Sequence, residues 1–143
     1  MKTGPDDQLA NSILTYEILE VVAFSQKQST AVPKLANLLD FMRSNLEKSL
    51  TLKDLTAYSG YSETSLLLAF REVYGKTPHQ KLIEMRMEHA AKLLFSRKEL
   101  SVKEIAGLTG YSNPMNFSTA FRQYYGSSPR QYRNAKIRKS IFS

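Results

Sequence analysis

Residues 50–78 read LTLKDLTAYSGYSETSLLLAFREVYGKTP, and residues 100–129 read LSVKEIAGLTGYSNPMNFSTAFRQYYGSSP. Set one beneath the other, they register at an offset of fifty up to Gly-Tyr-Ser (60–62 and 110–112). From Phe70 and Phe121 onward the offset is fifty-one, so the second copy holds one extra residue in between. Both then run Phe-Arg-x-x-Tyr-Gly-x-x-Pro. The chain thus contains a duplicated unit, and two copies exclude a solenoid, which needs three or more.

Each copy spells helix, tight turn, helix. Thr51 caps a first helix whose Asp54 stands at the capping-box position, where the helix dipole favours an acid. Leu52 and Leu55 give that helix its apolar face. Gly60 supplies the positive φ of the turn, a conformation in which a Cβ is costly. Ser62 opens a second helix through Tyr74, with Leu66, Phe70 and Val73 at inward spacing, and Gly75 ends it. The second copy repeats these signals with Ser101 and Glu104, Val102 and Ile105, and Gly110. Asn113 caps before Pro114, Phe117, Phe121 and Tyr124 face inward, and Gly126 stops the helix. A small residue, a glycine and a large apolar residue recur at the helix-turn-helix packing positions. They are Thr56, Gly60 and Leu66 in one copy, and Ala106, Gly110 and Phe117 in the other.

Working outward, Thr30 to Leu46 is amphipathic through Leu35, Leu38, Leu39, Met42 and Leu46. Thr77-Pro78-His79-Gln80 is a capping box that opens a long helix to about Phe95, joining the two copies. Residues 96–99 read as a hinge-like loop. Ser128 to Gln131 opens a short last helix carrying Tyr132. The expected fold is all-α: seven helices forming a double helix-turn-helix domain around a long central linker helix. An additional N-terminal helix is expected over residues 8–24. The domain layout is 1–30 as an N-terminal helical segment, 31–137 as the domain, and 138–143 as a basic tail. Within the domain the two motifs fall at about 51–74 and 101–125, with the linker at about 78–95.

The 143-residue chain carries a net charge of +7, unevenly spread. Residues 75–143 hold thirteen basic residues against four acidic ones (Glu84, Glu88, Glu99, Glu104), so the C-terminal half carries the whole excess. A one-sided basic field attracts polyanions through counterion release, and nucleic acid is the commonest such partner. The chain has no cysteine, which excludes disulfides and thiolate metal sites. No apolar run reaches the roughly 18 residues of a membrane span, and no signal peptide is legible, so the cytoplasm, at the nucleoid, is the expected compartment. The two histidines, His79 and His89, lie ten apart and cannot act as an i, i+4 metal pair. With no phosphate loop and no Ser/His/Asp or Cys/His arrangement, the reading is not an enzyme, with no cofactor and no metal.

Five stretches then carry a resemblance. They are Leu-Leu-Asp-Phe-Met at 38–42, Leu-Thr-Leu-Lys-Asp-Leu at 50–55, Arg-Met-Glu-His-Ala-Ala-Lys-Leu-Leu at 86–94, Ser-Val-Lys-Glu-Ile-Ala at 101–106, and the run from Gly110 to Arg133. In the last, Gly110-Tyr111-Ser112, Phe117-Ser118-x-Ala120-Phe121-Arg122 and Gly126-x-Ser128-Pro129-x-x-Tyr132-Arg133 are the most specific. Over about Val32 to Arg133 the chain resembles the DNA-binding domain of the AraC/XylS family of bacterial transcription regulators. The resemblance implies a sequence-specific regulator that places two recognition helices in successive major grooves, about 34 Å apart, on one face of double-stranded DNA. It puts base reading on Thr64, Leu67 and Leu68, and on Pro114, Met115, Asn116 and Thr119.

Helical spacing alone leaves Thr64, Ser65, Leu67, Leu68 and Arg71 outward on the first recognition helix. On the second it leaves Asn113, Met115, Asn116, Thr119 and Arg122. Base reading is therefore expected from Thr64, Ser65, Leu67, Leu68, Asn113, Met115, Asn116 and Thr119. Phosphates are expected at Lys53, Arg71, Lys76, Lys103, Arg122 and Arg133, near helix ends. The family often has Arg or another polar residue where this chain has Leu68 and Thr119, which removes bidentate guanine contact there. Leu67 and Leu68 are placed instead for thymine methyl groups, or for a partner surface. At Lys81 the first copy lacks the aromatic that Tyr132 supplies in the second, so looser packing is expected there.

The alternative function is a protein-interaction module on the same fold, acting on another regulator or on RNA polymerase without reading sequence. RNA polymerase is a further partner that the main reading leaves open beside double-stranded DNA. Residues 8–24, QLANSILTYEILEVVAF, present a broad apolar face. They are expected either to pair two chains as a homodimer or to fold back onto their own domain.

Overall fold

The computed structural model of the protein describes residues 33–142, with side chains followed to Lys139. Residues 8–24, and with them the expected N-terminal helix and homodimer contact, lie outside the described residues. Among the described residues there are seven helices and no strand: α1 over residues 33–44, α2 (Leu52–Ser59), α3 (Glu63–Tyr74), α4 (Pro78–Ser96), α5 (Val102–Leu108), α6 (Pro114–Tyr125) and α7 (Pro129–Phe142).

The helices begin where polar side chains satisfy their free N–H groups. Thr51 with Asp54, Thr77 with Gln80 and Ser101 with Glu104 form full capping boxes at α2, α4 and α5. Ser128 and Gln131 exchange the same pair of bonds at α7, at 3.0 and 3.1 Å. The turns inside the two motifs hold Gly60 at φ 81° and Gly110 at φ 91°.

Two cores result, and α4 belongs to both. Its N-terminal Leu82 and Met85 pack with Leu35, Leu38, Met42, Leu46, Leu55, Leu66 and Phe70. From Met87 onward its buried residues, Ala90, Ala91 and Leu94, join Ile105, Ala106, Phe117 and Phe121. The buried residues hand over from one core to the other between Met85 and Met87, and half-buried Ile83, on the other flank of the helix, already packs against the second.

Four local expectations are corrected. Tyr125, not Tyr124, completes the inward stripe of α6. Its ring meets Phe121 at 4.7 Å and Tyr132 at 5.0 Å, and its hydroxyl donates to the Met87 carbonyl at 3.4 Å, while Tyr124 stays 43% exposed. The nominal helix phase fits either residue, and the presence of α4 and α7 on one flank decides. The last helix is not short and the 138–143 tail is not separate from it, because α7 continues to Phe142 with no Gly or Pro after Pro129 to stop it. The loop after α4 is held rather than hinge-like, since the Arg133 guanidinium bonds three carbonyls there, at Leu94, Arg97 and Leu100. Lys81 does not leave a gap. Its ammonium lies 5.3 Å from the centre of the Tyr74 ring and 2.9 Å from Glu84, so a cation–π contact replaces the Tyr125–Tyr132 ring pair of the second copy.

A candidate nucleic-acid interface

Burial of Leu66 and Phe70 sets the phase of α3. At 100° per residue, the side chain two positions after Leu66 points almost directly away from the core. That residue is Leu68, 53% exposed. Thr64, Ser65 and Arg71 are exposed around it. Leu67, 40% exposed, sits on the flank and lines a shallow apolar groove with Leu50, Leu52, Leu55 and Leu82. Leu67 and Leu68 are alike in sequence, and packing against α2 and α4 separates them.

On α6, Phe117 and Phe121 are fully buried and Met115, Asn116, Thr119 and Arg122 are exposed, Met115 to 74%. Pro114 is half-buried at the first helical position. Asn113 is exposed, but its side-chain oxygen accepts from the backbone N–H of Met115 at 2.8 Å and of Asn116 at 3.4 Å. The cap thus occupies its carbonyl and leaves its amide N–H₂ as the group facing outward. The two outward faces correspond at the offset of fifty-one: Thr64, Ser65, Leu68 and Arg71 with Met115, Asn116, Thr119 and Arg122.

Of the expected phosphate-binding cations, Lys53 and Lys103 are exposed in the first turns of α2 and α5, and Arg71 and Arg122 in the last turns of α3 and α6. Lys76 is half-buried and donates to Glu84 at 3.1 Å. The hydrogen bond from Lys81, then that from Lys76, holds the Glu84 carboxyl below the ordinary carboxylate range. Arg133 differs from the other five in being turned inward. Its Nε donates to the Leu94 carbonyl at 2.8 Å and its Nη2 to the Leu100 carbonyl at 2.9 Å, so it ties the end of α4 to the start of α5 from inside the protein.

The residue that sequence reasoning gave no role is Arg86. Its guanidinium donates to the carbonyls of Leu46 at 3.2 Å and Lys48 at 2.8 Å, and lies 5.8 Å from the centre of the Tyr111 ring. Gly110 closes over it: a Cβ there would stand 2.3 Å from the Leu46 oxygen and 2.8 Å from the guanidinium. The end of α1, the middle of α4 and the turn of the second motif therefore meet at one point. The available signal was an arginine one turn from Leu82, Ile83 and Ala90, an apolar face where a charge must find carbonyl partners.

Among the described residues no group of three His, Asp or Glu side chains could hold a metal, and no helix is long and apolar enough to cross a membrane. His79 is exposed, and burial pushes the half-buried His89 below its ordinary value. The surface carries two helix faces, each bearing an arginine.

The helix-turn-helix domain family matches residues 44–135. The HTH-type transcriptional regulator ArgR of Pseudomonas aeruginosa is 26% identical over 121 residues, covering 85% of this chain and 36% of the regulator. The DNA-binding domain of AdpA, a global transcriptional factor solved with a target DNA, is 31% identical with a TM-score of 0.69, over 73% of this chain and 94% of that one. An AraC-type regulator from Chromobacterium violaceum is 29% identical with a TM-score of 0.66, over 74% and 94%. The chain spans about a third of the length of the curated relatives it matches. These relatives regulate transcription and are not enzymes. With its duplicated motif, its shared central helix and these matches, the chain belongs to the AraC/XylS family of transcription regulators.

Proposed function

We propose that this chain reads double-stranded DNA by laying α3 and α6 into successive major grooves and so directs transcription at specific sites, acting at the nucleoid of the bacterial cytoplasm. The observation that carries the reading is the equivalence of the two outward faces, each with a solvent-facing arginine in its last turn. Thr64, Ser65, Leu68, Asn113, Met115, Asn116 and Thr119 face bases in this reading, with Leu67 on the flank of the same contact and Asn116 suited to a bidentate contact on adenine. Lys53, Arg71, Lys103 and Arg122 face phosphates, and Lys76 reaches one only by sharing its charge with Glu84. AdpA's domain, similar over most of the described residues, was solved on its target DNA, which supports the same partner here.

The test is selection of bound sequences from random duplexes, followed by titration at several salt concentrations. Affinity for the selected duplex should fall steeply with salt, and Arg122→Ala should reduce the log–log slope by about 1 while leaving sequence preference intact. Failure to enrich any sequence, together with saturable binding to RNA polymerase or another regulator, would overturn the reading.

A further inference from the structure

We infer that the half-site beneath α3 is selected through a thymine C5-methyl group seated on Leu68. This rests on the two-groove reading above and says what one of the grooves must offer.

Leu68 occupies the middle of the outward face of α3, opposite fully buried Leu66 and Phe70. Around it stand Thr64, Ser65, Arg71 and Glu72, all exposed and all able to form hydrogen bonds. The centre of the face has no such group. Leu67 does not share the position, because its side chain lines the groove formed by Leu50, Leu52, Leu55 and Leu82. One leucine therefore meets whatever lies at the centre of the contact.

In the major groove, guanine presents two acceptors, cytosine a donor, and adenine one of each; only thymine adds an apolar group. A leucine pressed onto the polar edges strips them of water and returns no hydrogen bond. Pressed onto the thymine methyl, it buries apolar surface on both sides. Leu68 thus rejects G·C pairs and rewards thymine, while Thr64 one turn before it and Arg71 nearly one turn after it anchor its flanks. The equivalent residue on α6 is Thr119, beside Asn116 and Met115. The hydroxyl and amide there leave that half-site to be read by hydrogen bonds. A bound site is accordingly directional, with a methyl-dependent half and a polar half.

The test uses the full chain and a duplex it selects, with each thymine replaced in turn by 2′-deoxyuridine. The replacement removes the methyl group and keeps the base pairing and groove acceptors. Affinity should drop about fourfold at one position or two adjacent ones, the worth of a single buried methyl contact. Leu68→Ala should bind thymine and deoxyuridine equally at that position, while Leu67→Ala should keep the difference. Leu68 is exposed, so the variant should fold, and an unchanged circular dichroism spectrum checks this. Retained specific binding with no thymine–deoxyuridine difference anywhere, or a difference that survives Leu68→Ala, would overturn this inference alone. If the wild-type chain selects no duplex at all, the two-groove reading falls and this inference with it.

Discussion

Replacing Gly110 by alanine should cost far more stability than replacing Gly60, although both hold the same place in their motifs. Both are left-handed, at φ 91° and 81°. For an L-residue that conformation costs about 1–2 kcal/mol, partly offset by about 0.4–1 kcal/mol because alanine also restricts the unfolded chain. At Gly60 nothing lies within 4 Å of the added Cβ, so Gly60→Ala should destabilise by about 1 kcal/mol or less. At Gly110 the Cβ would fall 2.3 Å from the Leu46 carbonyl oxygen and 2.8 Å from the Arg86 guanidinium. Neither neighbour can give freely, because Arg86 is bonded to that same carbonyl at 3.2 Å and to Lys48 at 2.8 Å. Relieving the clash means losing at least one charge-assisted bond, worth about 1.5–3 kcal/mol. Gly110→Ala should therefore cost about 3 kcal/mol in all. Urea denaturation followed by circular dichroism measures both variants. If the two costs agree within about 0.5 kcal/mol, the joint at Arg86 is not holding the structure as described.

Two further substitutions examine the clamps. Arg133→Gln should lower unfolding stability by about 2 kcal/mol through loss of charged bonds to carbonyls, and leave the salt slope of DNA binding unchanged; an unchanged stability with a slope reduced by about 1 would return Arg133 to phosphate binding. Glu84 has a folded pKa held down by Lys81 and Lys76, so its contribution is present above the ordinary value of 4.5 and lost as pH falls through the depressed folded value. Glu84→Gln should accordingly lower the melting temperature at neutral pH, and the deficit should shrink as the pH falls through the depressed folded value; a deficit of the same size across the acid range would refute the assignment.

What was legible in the sequence was local. Thr51, Thr77, Ser101 and Ser128 announce their helices because a cap is satisfied within three residues. Leu66, Phe70, Phe117 and Phe121 declare the core by spacing alone, and the outward faces follow from them. What was not legible depends on partners far along the chain. Arg86 reaches back 40 residues and Arg133 reaches 39, to carbonyls that no sequence pattern marks. The choice of Tyr125 over Tyr124 turns on Tyr132 and Met87. Leu67 differs from Leu68 only because Leu52, Leu55 and Leu82 lie on one side of it. In each case a side chain was correctly placed on its helix, and a neighbouring helix then set its role.

The handover inside α4 has a consequence for how such a protein can change over evolutionary time. One helix supplies Leu82 and Met85 to one core and Met87 to Leu94 to the other. Adding or deleting one residue between Met85 and Met87 would swing everything after it by about 100° and shift it about 1.5 Å. A length change at that place would therefore pull one core out of phase with the other, whereas an exchange of halves that keeps the residue count would not. Point changes on the outward faces of α3 and α6 leave the beam between them untouched.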